Sequence, residues 1–572
     1  MNYTYKNILL GLVIVSCFLN SNAQAPSDAY QSVQEGIIGT ARTKALGGAS
    51  GAIGVDPGAV YINPAGLGLL SRSTFGIGFD AGKGSTSVAT KDIKITRTLG
   101  LSDLNNISYF SRGFMIPTAS SNYLRINYGF SFGQEYNYKR DYEMQNAHPA
   151  SSIATLLASK ANQILDFTDQ VSNTLTTIGE ESRKYKRTKT YDPFETNVDP
   201  FVALGLNSLV VNFRNNDEQK GDESTDWQYE TSFFSGDNRI PLELNGNILN
   251  VSERGKKNYT DFNIAFNLND RYYFGGALRL GTMNYSRASM LREDFIDPKE
   301  WKVDQTSYLE YGSSLDITGA SVSLNLGFLM ALGDYGRIGI TYLTPQYSQY
   351  KKMYSASVRN FNNNIVDEHN KSSIISFETG EYRIDYGVVT PGKLTLSAMA
   401  FLSKYGMVSY DFQYRNLGHS KVLVNNDRFS GVSNYIKDNY GAELTHRVGL
   451  EVRPINWVAL RAGYAYTGNS LKAAPLKKEA IGGLSYEYPN SDVVADFVLP
   501  RSYQAITGGV GFSLGRSTTI DLAYVHEIRK EKAYPFTGWT GSDRLKAKPI
   551  AVKGGNLKET RGSFVANLTF RF

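Results

Sequence analysis

The 572-residue sequence has only one cysteine, Cys17, and only five histidines. Because Cys17 lies in an N-terminal apolar run, the sequence after that run contains no residue for a disulfide, a catalytic thiol or cysteine-ligated zinc. The histidines are scattered without a paired metal spacing, so the sequence predicts no metal site. Charge is nearly balanced, with 60 Lys and Arg against 54 Asp and Glu. Since no basic block stands out, the charge does not imply nucleic-acid binding.

Long apolar runs are also missing. Beyond the N-terminal region no stretch of 18 apolar residues occurs, which excludes a helical membrane protein. Near the N-terminus, Lys6 precedes an apolar run at residues 8–19 that is too short to span a bilayer. This pattern predicts a signal peptide over residues 1–23, cleaved between Ala23 and Gln24. An uncleaved anchor and lipidation at Cys17 remain as alternatives.

Tyrosine and glycine, by contrast, are abundant. The chain has 38 Tyr and 54 Gly against 17 Pro, with a mean hydropathy of −0.31. This composition fits strands joined by tight turns, and it fits a β-barrel whose apolar outer face is diluted by a polar lumen. In SVSLNLGFLMAL (residues 321–332) every second residue is apolar, and residues 447–454 and 457–466 repeat the pattern. A period of two predicts strands with one apolar face.

The predicted strands are joined by two kinds of connection. The short ones lie at 117–121, 269–270, 333–335, 404–405, 455–456 and 515–516. The long ones lie at 81–104, 136–258, 293–305, 359–384, 417–442, 468–501 and 531–556. Alternating short and long connections are typical of outer-membrane barrels, which have periplasmic turns and extracellular loops. We therefore predict an all-β fold, a transmembrane antiparallel β-barrel in a Gram-negative outer membrane.

The predicted barrel has about fourteen strands, an even number as in bacterial barrels. They cover 73–80, 105–116, 122–135, 259–268, 271–292, 306–332, 336–358, 385–403, 406–416, 443–454, 457–467, 502–514, 517–530 and 557–572. The last of them alternates through Phe564, Leu568 and Phe570 to Phe572. This ending resembles the signal recognised by the barrel assembly machinery, which is therefore expected as a partner through Phe572.

The largest insertion, 136–258, contains a helical pattern at residues 151–182. Leu156, Leu157, Ile164 and Phe167 are among its periodic apolar residues. Two interpretations are open: a helix that covers the barrel rim, or an apolar groove that captures a hydrophobic ligand. The basic stretch at 182–191 is expected to face outer-membrane lipid and lipopolysaccharide.

The barrel is predicted to cover residues 73–572. The segment that precedes it is Gly-rich. It contains Gly47, Gly48 and Gly51 and leads into the step Asn63-Pro64-Ala65. Because a fourteen-stranded lumen is too wide for its own wall side chains to fill, something must occlude it. Glycine lets backbone pack close to a wall, so residues 24–72 are predicted to form a plug, or hatch, inside the barrel.

These motifs resemble the FadL and toluene-transport family of outer-membrane proteins. The resemblance covers the Gly-rich stretch at 45–54, the Asn-Pro-Ala step and the segments 390–401, 447–466 and 499–528. It implies a fourteen-stranded barrel, plugged by its hatch, that passes long-chain fatty acids or aromatic hydrocarbons and releases them sideways into the bilayer. It also implies that Asn63, Pro64 and Ala65 hold the hatch. No cofactor is expected, because hydrophobic transfer supplies the driving force, and the sequence shows no convergent Ser/His or Asp/His set for catalysis.

Strand alternation places several charged side chains in the lumen: Arg279, Asp411, Arg415, Arg447, Glu451, Arg453, Arg461, Asp521 and Glu527. One interpretation is that they pair with one another and with the hatch. The other is that an arginine, Arg279 or Arg461, receives a substrate carboxylate through charge-assisted hydrogen bonds.

Two further functions remain open. The barrel could be a scaffold, secretion accessory or adhesin that binds protein partners through its long loops. It could also capture haem through a loop histidine such as His148 or His419.

Overall fold

The computed structural model describes residues 26–91, 93–117, 123–165, 200–215, 227–235, 240–296, 307–366, 372–424, 427–428, 430–472, 493–538 and 550–572. Within these residues, fourteen antiparallel strands pair in sequence order and the last pairs with the first, which closes a barrel. The predicted fold class is therefore confirmed. The strands are β1 (Thr74–Ala89), β2 (Lys94–Ser111), β3 (Tyr123–Asn137), β4 (Glu243–Leu268), β5 (Tyr272–Ile296), β6 (Ser307–Ala331), β7 (Gly336–Leu343 and Gln346–Val366), β8 (Tyr382–Thr390 and Lys393–Leu402), β9 (Gly406–Asn416), β10 (Ala442–Ile455), β11 (Val458–Thr467), β12 (Phe497–Leu514), β13 (Thr518–Tyr534) and β14 (Gly555–Arg571).

The outer face of the barrel carries a belt of exposed apolar side chains. Its aliphatic part includes Leu278, Val322, Leu324, Leu326, Ile338, Ile340, Leu396, Val448, Leu450, Leu460 and Leu522. Exposed aromatic residues border it at the short turns: Phe114, Tyr335, Tyr405, Trp457 and Phe572. A second row of exposed tyrosines lies further along the strands: Tyr128, Tyr342, Tyr347, Tyr410, Tyr414, Tyr464, Tyr466 and Tyr524. An apolar band between two aromatic girdles is the surface that a barrel presents to a bilayer.

Several strands run further from the short turns than the sequence predicted. β1 reaches Ala89, β2 begins at Lys94 and β4 begins at Glu243. The prediction of a long loop over 81–104 is therefore wrong, since only residues 90–93 lie between β1 and β2. The insertion predicted at 136–258 also starts later and ends earlier. Beyond the apolar belt neither face of a strand meets lipid, so the alternation that marks a strand in the sequence fades there.

Helices lie inside the barrel and over its long-loop end. They are α1 (Pro26–Val33), α2 (Ala41–Ala45), α3 (Pro57–Ile62), a 3₁₀ helix (Pro64–Leu69), α4 (Ile153–Leu165), α5 (Pro200–Asn207) and α6 (Ser430–Asn439). Arg140–Asn146 pairs with the upper part of β4, and Ser372–Glu378 pairs with the upper part of β7, so both extend the wall. Val211–Asn215 and Trp227–Thr231 pair with each other in a separate two-stranded sheet. None of the described helices has the length and apolar character needed to cross a membrane.

Residues 26–70 lie against the inner side of the wall strands, and we call residues 26–72 the plug. Its first part, the arm (residues 26–38), contains α1 and lies in the half of the lumen nearer the long loops. Its second part, the base (residues 39–72), contains α2, α3 and the 3₁₀ helix and lies nearer the short turns. Above the arm, apolar residues of α4 and α5 and of the upper strands form one core that closes the long-loop end.

Candidate functional site: the plugged lumen

The base rests on the wall at two patches of strand glycines. The first patch is Gly449 in β10, Gly463 in β11 and Gly509 in β12. A Cβ atom on Gly463 would lie 2.1 Å from the backbone nitrogen of Gly47, and one on Gly449 would lie 2.8 Å from the carbonyl oxygen of Leu46. Plug backbone therefore lies directly on wall backbone, which only residues without a side chain permit.

Two plug glycines make the turn that follows α2. Gly47 and Gly48 have φ values of 65° and 76°, a conformation that favours glycine. The Gly47 N–H donates to Thr507 Oγ1 over 3.0 Å, and the Thr507 hydroxyl donates to the Ala45 carbonyl over 2.9 Å. This turn thereby ties the base to β12.

The second patch receives the Asn-Pro-Ala step. It consists of Gly275 in β5, Gly327 in β6 and Gly339 in β7. A Cβ atom on Gly275 would lie 2.3 Å from the Ala65 nitrogen, and one on Gly327 would lie 2.1 Å from Asn63 Oδ1. Pro64 packs against the same glycines, because a Cβ on Gly275 would also lie 2.3 Å from its carbonyl carbon.

Asn63 links three parts of the molecule. Its Oδ1 accepts from the Ala65 N–H over 3.1 Å and so caps the 3₁₀ helix. Its Nδ2 donates to the Gly51 carbonyl at 3.0 Å and to the Phe328 carbonyl of β6 at 3.2 Å. The Gly51 N–H in turn donates to Asp411 of β9 over 3.0 Å. The residues predicted to hold the hatch therefore lie at the contact between base and wall.

The two arginines predicted as carboxylate receivers are already paired. Arg279 donates to both carboxylate oxygens of Asp261, at 2.8 and 2.7 Å, and to the Tyr61 carbonyl at 2.9 Å. Arg461 donates to Glu451 over 2.8 Å and to Asp521 over 2.6 Å. Both side chains are buried. A substrate carboxylate would have to displace a wall carboxylate to reach either one, so pairing within the lumen describes them best.

The arm is held by charged and polar contacts in a largely apolar surrounding. Lys352 of β7 pairs with Asp28 of α1 over 3.0 Å, and both side chains are at most 1% exposed. The Tyr30 hydroxyl donates to Glu531 over 2.9 Å. The carbonyl of Val33 accepts from Arg415 over 3.1 Å. These contacts fix α1 to strands on different sides of the lumen.

Three cavities surround the end of the arm. Together with the open space that adjoins them, these cavities have volumes of about 480, 680 and 560 Å³, and the backbone of Gly36 borders all three. Glu35 lies between two of them. Burial raises the pKa of the Glu35 carboxyl, but the charges of Lys393, Arg415 and Arg447 outweigh burial and hold this pKa well below its usual range. The Glu35 side chain is therefore an anion inside the lumen.

The wall has a seam between β2 and β3. These strands share a backbone ladder only over residues 106–111 and 128–133. Beyond it β2 pairs with β1 and β3 with β4, and side chains bridge the gap. Asn137 and Lys256 both contact Asp103, and Lys139 Nζ donates to the Gly100 carbonyl over 2.9 Å. The 680 Å³ cavity lies behind this wall seam.

The predicted capture residues do not form an open groove. Leu156 is 3% exposed and Leu157 is fully buried, both within the core that closes the long-loop end. Ile164 belongs to α4, but the structure describes no contacts of its side chain, and Phe167 lies outside the described residues. Of the two interpretations, a helix covering the rim fits the described part of α4. Ala23 and Gln24 also lie outside the described residues, as does Cys17.

No protein-family model and no curated protein matches the chain. Among solved structures it is similar to a FadL homologue of Pseudomonas aeruginosa, with 9% identity, a TM-score of 0.48 and coverage of 94% of this chain and 99% of that one. It is similar to the toluene transporter TbuX of Ralstonia pickettii, with 13% identity, a TM-score of 0.42 and coverage of 94% and 99%. It is also similar to the toluene transporter TodX of Pseudomonas putida, with 12% identity, a TM-score of 0.41 and coverage of 94% of this chain and 99% of that one. At these identities the similarity concerns the fold alone.

Proposed function

We propose that the chain is a passive outer-membrane transporter for hydrophobic small molecules, gated by the plug and releasing its substrate sideways through the wall seam. Single-chain amphiphiles such as long-chain fatty acids are the expected substrates, ahead of aromatic hydrocarbons. The observation that carries this proposal is that two cavities adjoin at Gly36 and Ile37 and lead from the end of the arm to the wall seam.

The outer surface supports a place in the outer membrane. The apolar belt and the two aromatic girdles match a barrel in a bilayer. Transfer of the substrate needs no energy source, because moving each CH₂ group out of water contributes roughly 0.8 kcal/mol. Lipopolysaccharide would then face the long loops, and the barrel assembly machinery would act on the strand that ends at Phe572.

Polar groups in the cavities favour an amphiphile over a hydrocarbon. The cavity behind the wall seam is bordered by Asp103, Glu135 and Arg529, while Ile37 and Leu101 supply apolar surface. A pure hydrocarbon would strip water from these charged groups without replacing its hydrogen bonds. A molecule with a polar head and an alkyl chain satisfies both kinds of surface.

Cross-linking the wall seam is expected to stop transport. In a Cys17→Ser background, Asp103→Cys and Asn137→Cys place one thiol on β2 and one on β3. A short bismaleimide between them holds the strands together, so uptake of radiolabelled dodecanoate into proteoliposomes should fall to the level of protein-free vesicles. The control pair, Arg292→Cys with Glu310→Cys, bridges β5 and β6 where the ladder is intact. Unchanged uptake after complete cross-linking of the seam would argue against lateral release.

A scaffold that binds protein partners is the second candidate. The observation in its favour is that the arm and the core above it fill the half of the lumen nearer the long loops, so a sealed barrel without transport is physically consistent. A stoichiometric protein partner in a mild-detergent pull-down, together with no uptake of dodecanoate, would favour the scaffold.

A further inference from the structure

Glu35 of the arm occupies a cluster of lumenal donors. Its carboxylate lies 2.9 Å from Lys393 Nζ of β8 and 3.9 Å from Arg415 Nη1 of β9. Gln413 Nε2 of β9 donates to it over 3.3 Å. Three wall side chains that differ in type therefore converge on one carboxylate supplied by the plug. We call Lys393, Gln413, Arg415 and the neighbouring Arg447 the head-group cluster.

The head-group cluster has more positive charge than Glu35 alone neutralises. Arg415 also binds Glu443 of β10, which leaves Glu35 to balance Lys393 and Arg447. Arg447 donates to the neutral oxygen of Gln413 over 3.0 Å, and no carboxylate among the described residues lies within ion-pair distance of it. Arg447 borders both cavities that flank Glu35. Arg447 is only partly buried, and a partly buried cation next to empty space is a feature that an added anion would stabilise.

Apolar surface adjoins the head-group cluster. The 480 Å³ cavity is bordered by Ile37, Ile38, Ile62 and Leu343 as well as by Glu35 and Lys393. A ligand with an anionic head in the cluster would thus have aliphatic side chains beside the first part of its alkyl chain. The site combines the two surfaces that a single-chain anionic amphiphile presents.

We propose that Glu35 is an internal stand-in for the anionic head group of the substrate, and that substrate binding releases the arm by exchanging one carboxylate for another. This inference rests on the proposed function and deepens it. When an incoming anion takes the donors of the head-group cluster, Glu35 leaves with the arm and no buried cation loses its counter-charge. A neutral chain of the same length cannot make this exchange, because it would leave the cations unbalanced. The head-group cluster therefore selects for charge and couples binding to opening.

The test compares three probes of equal chain length: dodecanoate, dodecanol and dodecyltrimethylammonium. The full chain in lipid nanodiscs carries Cys17→Ser and Gln34→Cys, a position that is 3% exposed beside Glu35. Dodecanoate should raise the rate of maleimide labelling at this cysteine on the order of tenfold, since it shifts the arm from a closed to an open state. Dodecanol and the ammonium probe should leave the rate unchanged.

Variants separate an exchange site from a merely structural contact. Glu35→Gln removes the internal competitor, so dodecanoate should bind roughly tenfold more tightly and labelling should be fast without any probe. Arg447→Gln should weaken dodecanoate binding by a similar factor while labelling without probe stays slow. Arg292→Gln removes a cation outside the lumen that pairs with Asp294 and Glu310, and it should change neither value. Heat-modifiable migration on gels first verifies that each variant forms a barrel.

Each remaining outcome has a definite meaning. If dodecanoate binds but Glu35→Gln leaves its affinity unchanged or lower, the stand-in role is wrong and the transporter stands. If dodecanol opens the arm as well as dodecanoate does, selection by charge is wrong, and again the transporter stands. If no probe binds the wild-type chain and none crosses the proteoliposome membrane, both the inference and the proposed function are overturned.

Discussion

Gly275→Val is expected to unseat the base of the plug while leaving the barrel closed. A Cβ atom at this position would lie 2.3 Å from the Ala65 nitrogen and from the Pro64 carbonyl carbon, both of them backbone atoms. Overpacking of this kind costs about 1–3 kcal/mol and occasionally more, and backbone atoms yield less than the end of a flexible side chain. Valine itself suits a strand. The lumen should therefore become permeable to small hydrophilic solutes.

The neighbouring glycine provides the control. Gly276 points to the opposite face of β5, and the nearest atom to an added Cβ would be a Leu326 methyl carbon at 3.9 Å. Planar-bilayer conductance should rise strongly for Gly275→Val and stay near that of the wild-type chain for Gly276→Val. Equal, low conductance of the two variants would mean that the Asn-Pro-Ala step does not seal the lumen against this wall.

Lys352→Met is expected to detach the arm. This change removes one partner of an ion pair whose two side chains are almost completely buried. Breaking such a pair from one side typically costs about 3–5 kcal/mol, because the opposite charge is removed from beside an ion that stays buried. This cost is avoided if Asp28 leaves its buried position and its carboxylate becomes hydrated, so α1 should move away from β7. In a Cys17→Ser, Ser32→Cys background, maleimide labelling should become at least roughly a hundredfold faster.

The double variant Asp28→Asn with Lys352→Met is the decisive control. Replacing a buried ion pair by neutral groups is often close to neutral for stability, so slow labelling should largely return. If the double variant labels as fast as Lys352→Met, the arm opens because the attraction between Asp28 and Lys352 is lost, and not because the charge of Asp28 is expelled. If neither variant labels faster than the parent, the ion pair does not hold the arm closed.

Alternation made the membrane part of the barrel predictable from the sequence. Residues 321–332 and 447–466 alternate strictly because one face meets lipid and the other the lumen, and the strands that contain them lie where they were predicted. The upper part of β4, residues 243–258, carries no such pattern, because it lies beyond the apolar belt. Periodicity alone therefore assigned this part of the strand to a loop, which is wrong.

Some of the wall residues that contact the plug could also be predicted from the sequence. Glycines inside a strand signal a close approach of backbone, so Gly275, Gly327 and Gly339 offered a sign of the second patch that sequence analysis missed. Arg279 was correctly placed in the lumen. Its pairing with Asp261 follows from the register of the β4–β5 hairpin, in which these two residues are direct partners.

The head-group cluster and the wall seam could not be predicted. Glu35 meets Lys393 and Arg415 only because the chain folds back through the lumen, 358 residues separating Glu35 from Lys393. The seam arises where β2 and β3 lose their ladder above Asn106 and Gly133, and neither sequence contains a proline or a change of pattern at that point. Both features depend on long-range packing, which local periodicity does not report.

The most direct test of the account is mass spectrometry of the small molecules that co-purify with the chain from its native outer membrane. We predict single-chain carboxylates, enriched over an unrelated barrel purified in the same way and depleted in Arg447→Gln. No enriched small molecule, together with a stoichiometric protein partner, would contradict it and identify the barrel as a sealed scaffold.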